Sequence, residues 1–323
     1  MKRTTLISLL LAATLIGCGQ KQQKTAQESL SPAAFSADSA YAHTATQVAF
    51  GARVPGSPAH QACLNYLSST LERYGLAVTI QRGSLPDFEG KDQAIANIIA
   101  AYRPDIQSGR ILLCAHWDCR PWSDQETGPI KQQTPVLGAN DGASGTAVLL
   151  EIARQLQLQQ PNKGIDIILF DAEDKGTPDW FKGPDRGNTW CLGSQLWAAE
   201  NAQQSKQYAY GILLDMVGSP EAVFCKEYFS LQYAAEPLNH VWNTARQLGF
   251  ARYFRFQNGG AVTDDHYYIN TLAHIPCINI IHYDAQTGTG FPEYWHTNHD
   301  DMSNVSRSTL DAVGKTVLTA IIQ

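Results

Sequence analysis

Residues 165–174 read Ile165-Asp-Ile-Ile-Leu-Phe170-Asp-Ala-Glu-Asp174. A short, nearly continuous apolar run predicts a strand buried on both faces. Here the run ends in carboxylates. A carboxylate in such a place carries a large desolvation cost unless it is paired, hydrogen-bonded or bound to a cation. Asp171 reads as a structural group that takes backbone amides or caps a neighbour. Glu173 and Asp174 read as a pair of which one binds a metal and the other moves protons.

The pattern repeats outward from this strand. Arg110–Ala115 is another apolar run and delivers His116, within Cys-Ala-His-Trp-Asp. Ile212-Leu213-Leu214 delivers Asp215. Asp141 stands in Gly-Ala-Asn-Asp-Gly and His296 in Tyr-Trp-His-Thr. Imidazole and carboxylate ligands together suit zinc better than calcium or magnesium, which prefer oxygen shells.

Apolar periodicity predicts helices over Ser36–Phe50, Pro58–Tyr74, Ser144–Gln157, Leu192–Asn201, Pro237–Leu248 and Ser306–Ile322, with Ser144 as an N-cap. Strands are expected at Leu76–Gln81, Ala94–Tyr102, Arg110–Ala115, Ile165–Phe170, Tyr210–Leu214 and Ile275–Ile281. Strands alternating with helices give an α/β fold, one domain with a mostly parallel central sheet and helices on both faces. Ligands bind beyond the carboxyl ends of the strands in such sheets. His116, Glu173, Asp174 and Asp215 therefore converge on one edge, where long loops at Trp117–Gly138, Lys175–Asn188 and Gln257–Asp264 build a pocket.

Composition bounds the partners. A net charge of −6 with no basic stripe argues against nucleic acid. Lys2 and Arg3 precede an apolar stretch, Leu6 to Ile16, that is shorter than the ~20 residues of a spanning helix. It ends in Leu15-Ile16-Gly17-Cys18, which resembles the lipobox of bacterial lipoproteins. That resemblance implies cleavage before Cys18, lipidation there, and a chain exported to the periplasm or cell envelope and anchored to a bacterial membrane. The expected organisation is a signal at 1–18, a flexible tether at 19–34 and a catalytic domain at 35–323. Cys63, Cys114, Cys119, Cys191, Cys225 and Cys277 match no compact disulfide framework. Cys114 and Cys119 read as small buried residues, or one half of a bridge, rather than zinc ligands.

His116-Trp-Asp118, Gly138-Ala-Asn-Asp141-Gly-Ala-Ser-Gly145, Glu173-Asp174, Asp215 and His296-Thr resemble the M28 clan of zinc aminopeptidases. Leu214-Asp215-Met-Val-Gly218, Asp264-Asp265-His266 and Phe291-Pro-Glu-Tyr-Trp295-His296-Thr297 resemble, more narrowly, the animal-type glutaminyl-peptide cyclotransferases. The resemblance implies one zinc per chain on Asp141, Asp174 and His296, with Glu173 as general acid/base. It implies a catalytic acidic network of Asp215 and Asp264, with substrate contacts from Trp295 and Trp180. The implied reaction converts an N-terminal Gln of peptides and proteins to pyroglutamate with release of ammonia. The alternative is a two-zinc aminopeptidase, in which Asp141 bridges and His116 with Asp215 hold the second metal. Asp174 departs from many clan members, which carry glutamate there. His266 could donate into the acidic network, and His299 reads as lying outside the first ring of ligands.

Overall fold

In the computed structural model, which describes residues 31–202 and 207–323, the main sheet has six strands. They are β1 (Ala77–Pro86), β2 (Asp92–Tyr102), β3 (Arg110–His116), β4 (Ile165–Phe170), β5 (Tyr208–Asp215) and β8 (Cys277–Ile281). Their spatial order is β1-β2-β4-β3-β5-β8. The β4–β3, β3–β5 and β5–β8 pairings are parallel, while β1 and β2 run antiparallel at one side. Two short strands, β6 (Phe224–Lys226) and β7 (Phe254–Asn258), pair separately. The expected signal at 1–18 and most of the tether at 19–34 lie outside the described residues.

β3 and β4 are buried at every position because side chains alternate between two helical layers. Ile111, Leu113 and Ala115 of β3 join one core with helices α2 (Pro58–Arg73), α4 (Ala143–Gln159), α7 (Ala235–Gln247) and α9 (Arg307–Ile322). Leu112 and Cys114 face the other core, with Trp197 and Ala198 of α5 (Leu192–Asn201) and Ile269 of α8 (Asp265–Thr271). Helix α1 (Ala37–Ala49) lies along α4 and α9. No helix among the described residues is long and apolar enough to cross a membrane.

The departures from sequence expectation are local. β1 continues to Pro86, because it pairs with β2 along its length and, half exposed at the sheet margin, alternates instead of running apolar. Helices α6 (Tyr228–Tyr233), α8 and the four-residue α3 (Pro129–Gln132) were not expected. Ser144 is not the N-cap of α4. Gly142 holds that place in left-handed backbone, and Ser144, inside the first turn, donates its hydroxyl to the Asn140 carbonyl at 2.5 Å.

Candidate metal centre

His116 and Asp215 are the last residues of two neighbouring parallel strands, so their side chains leave the sheet at the same edge. Glu173 and Asp174 follow β4 after one tight turn, and Asp118 holds that turn by accepting the backbone N–H groups of Glu173 (3.1 Å) and Asp174 (3.2 Å). Asp171 is structural, as expected. It takes the amides of Ala96 and Ala172 and lies 2.7 Å from His60 Nε2.

Asp141 arrives from the loop before α4. That loop must pass close to β3 and β5: a Cβ on Gly142 would lie 2.6 Å from His116 Cε1, and one on Gly145 2.2 Å from the Leu214 carbonyl oxygen. Asp300 pins the loop, accepting N–H bonds from Asn140 (2.8 Å) and Asp141 (3.0 Å). Asn140 in turn takes the Gly218 N–H at 2.7 Å, which fixes the segment after Asp215. Ala172, Cys191, Met216 and His296 all have positive φ without being glycine. Such backbone costs ~1–3 kcal/mol per residue and gathers where geometry is imposed on the chain.

Two triads result, sharing Asp141. Donor atoms of Asp141, Asp174 and His296 lie within 4.8 Å of one another, and so do those of His116, Asp141 and Asp215. His296 Nε2 is 3.1 Å from Asp174 Oδ1 and 3.7 Å from Asp141 Oδ2, while His116 Nε2 is 2.9 Å from Asp141 and 3.3 Å from Asp215. The Oδ1 atoms of Asp174 and Asp215 are buried without a hydrogen bond among the described residues. Buried oxygens of this kind normally have partners. Orphaned carboxylate oxygens facing a buried imidazole fit a zinc ion, and the first triad supplies three protein ligands with a position left for substrate.

Electrostatics divide the cluster. Burial and then Asp174 and Asp264 push Glu173 well above the usual carboxylate range, against the pull of His116. Burial and then Asp141 raise Asp215 to about 7. Asp141 sits below the usual range because His116 outweighs its burial. Glu173 thus belongs to a group suited to carry a proton, 3.0 Å from the Cys191 thiol and beside Asp264. Asp264 caps α8 and accepts a bond from Asn279 Nδ2 at 2.6 Å.

Asp141, Glu173, Asp174, Asp215, Asp264 and His296 line a pocket of ≈ 380 Å³ walled by Trp190, Phe291 and Trp295. Trp295 stacks on His296 with ring centroids 3.6 Å apart. Trp180 does not line it: the ring is 40% exposed and lies edge-on to Trp122, and Trp190 occupies the wall expected of Trp180. His266 turns away from the acidic network to Glu227, at 3.0 Å, and Asn279 is the donor in its place. His299 is exposed, and Cys114 and Cys119 are buried thiols that belong to neither triad. The sequence reading also missed Asp300, Cys191, and the Arg120–Asp124 pair behind His296. Only Asp300 carried a signal, a second acid four residues after a proposed ligand.

Residues 97–321 match the model of Peptidase family M28. The solved structure of a Zn-dependent exopeptidase from Parabacteroides distasonis is 49% identical, with a TM-score of 0.86 over 90% of this chain and 98% of that one. Tannerella forsythia glutaminyl cyclase is 48% identical, with a TM-score of 0.86 over 90% and 99%. The glutaminyl-peptide cyclotransferase of Bos taurus is 24% identical over an alignment of 300 positions that covers 84% of this chain and 78% of the bovine protein.

Proposed function

The chain belongs to peptidase family M28, and we infer from its site that it is a zinc-dependent glutaminyl-peptide cyclotransferase. It converts N-terminal Gln of peptides and proteins to pyroglutamate and releases ammonia. One observation carries this reading beyond the family: the proton-carrying Glu173 is backed by Asp264 in a tryptophan-walled pocket, in a chain 48% identical to a glutaminyl cyclase.

Asp141, Asp174 and His296 would hold one zinc, whose Lewis acidity would polarise the side-chain amide carbonyl of the substrate Gln. Glu173 takes a proton from the substrate α-amine, which then attacks the carbonyl carbon (Cδ) of the side-chain amide, and returns it to the amide nitrogen that departs as ammonia. The Glu173 proton affinity, raised by burial and by Asp174 and Asp264, suits both halves of that transfer. Asp215 and Asp264 stabilise the ammonium as it develops. Trp190 and Trp295 fold the Gln side chain back over its own amine, and an intramolecular closure gains much of its rate from such orientation. The ring forms without a water nucleophile.

The His116–Asp141–Asp215 triad favours a second reading, the two-zinc aminopeptidase, because a second ion has a ready set of donors there. Metal analysis separates the two: near one zinc per chain for the cyclase, near two for the peptidase. Glu173→Gln tests the mechanism. It is expected to retain zinc and to lose at least ~10²-fold in turnover. Retained turnover would remove Glu173 from its role.

Export and a lipid anchor at Cys18 complete the proposal and rest on the sequence alone. Cys18→Ala is expected to abolish lipid labelling and release the protein from membranes. Unchanged labelling would contradict the anchor.

A further inference from the structure

Behind His296 lies a buried ion pair with no part in the reaction just described. Arg120 is 1% exposed and forks onto Asp124, with Nε 2.7 Å from Oδ1 and Nη2 bonded to Oδ2. Its remaining nitrogen, Nη1, donates to the Asp174 carbonyl at 3.0 Å and lies 3.7 Å from Asp174 Oδ1. The guanidinium is packed between indoles, 4.4 Å from the Trp190 ring and 5.3 Å from that of Trp122. Asp124 Oδ1 reaches 3.3 Å from His296 Nδ1, the nitrogen that faces away from the other ligands. Trp190 also stacks on His296, at 6.0 Å and 6°.

We propose that Arg120 and Asp124 are positioning residues that set the zinc affinity of the site through His296 and Asp174. This rests on the ligand assignment made above. A metal-binding imidazole needs its second nitrogen protonated and held, so that the first presents a lone pair in a fixed direction. Asp124 holds that proton. Alone, it would add a further unpaired buried negative charge to a centre that already has Asp141 and Asp174. Arg120 cancels it, and the rigid fork leaves one donor over for the Asp174 main chain. One guanidinium thereby ties two ligands from distant parts of the chain to one wall of the pocket. A lysine there would keep the charge and lose the geometry.

The test is the zinc dissociation constant of the metal-free protein, measured by competition with a chromophoric chelator and set beside the Tm of the same metal-free samples. Asp124→Asn is expected to weaken zinc ~10–100-fold. Arg120→Lys is expected to weaken it in the same direction with the metal-free Tm near the native value, whereas Asp124→Asn, which leaves the buried guanidinium without its carboxylate, lowers the metal-free Tm as well. The inference is overturned if both bind zinc within twofold of native, or if both lose metal-free Tm while keeping native zinc affinity. Arg120→Lys with its charge intact is the variant to rely on if Asp124→Asn does not fold. His296→Ala is the control: native zinc affinity there would refute the ligand assignment itself. Loss with His296→Ala but not with the other two would refute only the positioning role.

Discussion

Strand β3 starts at Arg110 and ends at His116, seven residues in all, and its two ends meet buried charge in opposite ways. At the amino end Arg110 and Asp166 form a closed pair, 2.8 Å from Nε to Oδ2. Nη2 also reaches Asp166 Oδ1, at 2.5 Å, the carbonyls of Tyr102, Arg103, Ile106 and Ile165 take further bonds from the guanidinium, and Tyr208 donates to Asp166 at 2.9 Å. At the carboxyl end Asp141, Asp174, Asp215, Asp264 and Glu173 crowd around His116 and His296, and buried oxygens are left over. The first arrangement is complete in the protein alone. The second is complete only with a cation, and the difference marks which end does chemistry.

Breaking the closed pair gives the largest expected effect on stability. Arg110→Ala would strand Asp166 in the interior and cost about 3–5 kcal/mol in denaturant unfolding. Activity per folded molecule should stay native. A loss below 1 kcal/mol would mean that the two ends are not so different after all.

Zinc removal attacks the other end. Chelation is expected to lower stability by about 3–4 kcal/mol relative to protein with zinc at 100–1,000 times its dissociation constant. Arg110→Ala protein should show the same zinc-dependent increment, since its lesion lies at the far end of the strand.

Buried groups of a third kind supply the smallest effect. His282 is buried with no partner for Nδ1 among the described residues, and burial lowers its pKa to about 4. Folding therefore depresses the proton affinity of this imidazole. Its contribution is fully present above about pH 6.5 and is lost as pH falls toward 4. His282→Phe should flatten that acid limb by about 1–2 kcal/mol at pH 5, with little change at pH 8. An unchanged limb would assign the acid sensitivity to other groups.

What the sequence disclosed follows from the same physics. An apolar run that stops at a charged or imidazole residue is visible in one dimension, which made β3, β4 and β5 and the polar side chains at their carboxyl ends legible together with the α/β layering. The acids could be grouped because parallel neighbours must deliver their ends to one edge. Trp190 was not legible, because it shares a long loop with Trp180 and only the folded path of that loop decides which indole turns inward. Asn279 was hidden inside an apolar strand, where an amide reads as an interruption until Asp264 is found opposite it. Arg120 and Asp124 sit in a polar loop where a charged pair looks like ordinary surface. Their burial is a tertiary fact.

The most direct test of the account is mass spectrometry of a Gln-Xaa-Yaa peptide and a Leu-Xaa-Yaa peptide after incubation with the zinc-loaded protein. Loss of ammonia from the first, with the second untouched, is the result the account predicts. Release of free N-terminal residues from either would contradict it and place a second zinc on His116 and Asp215.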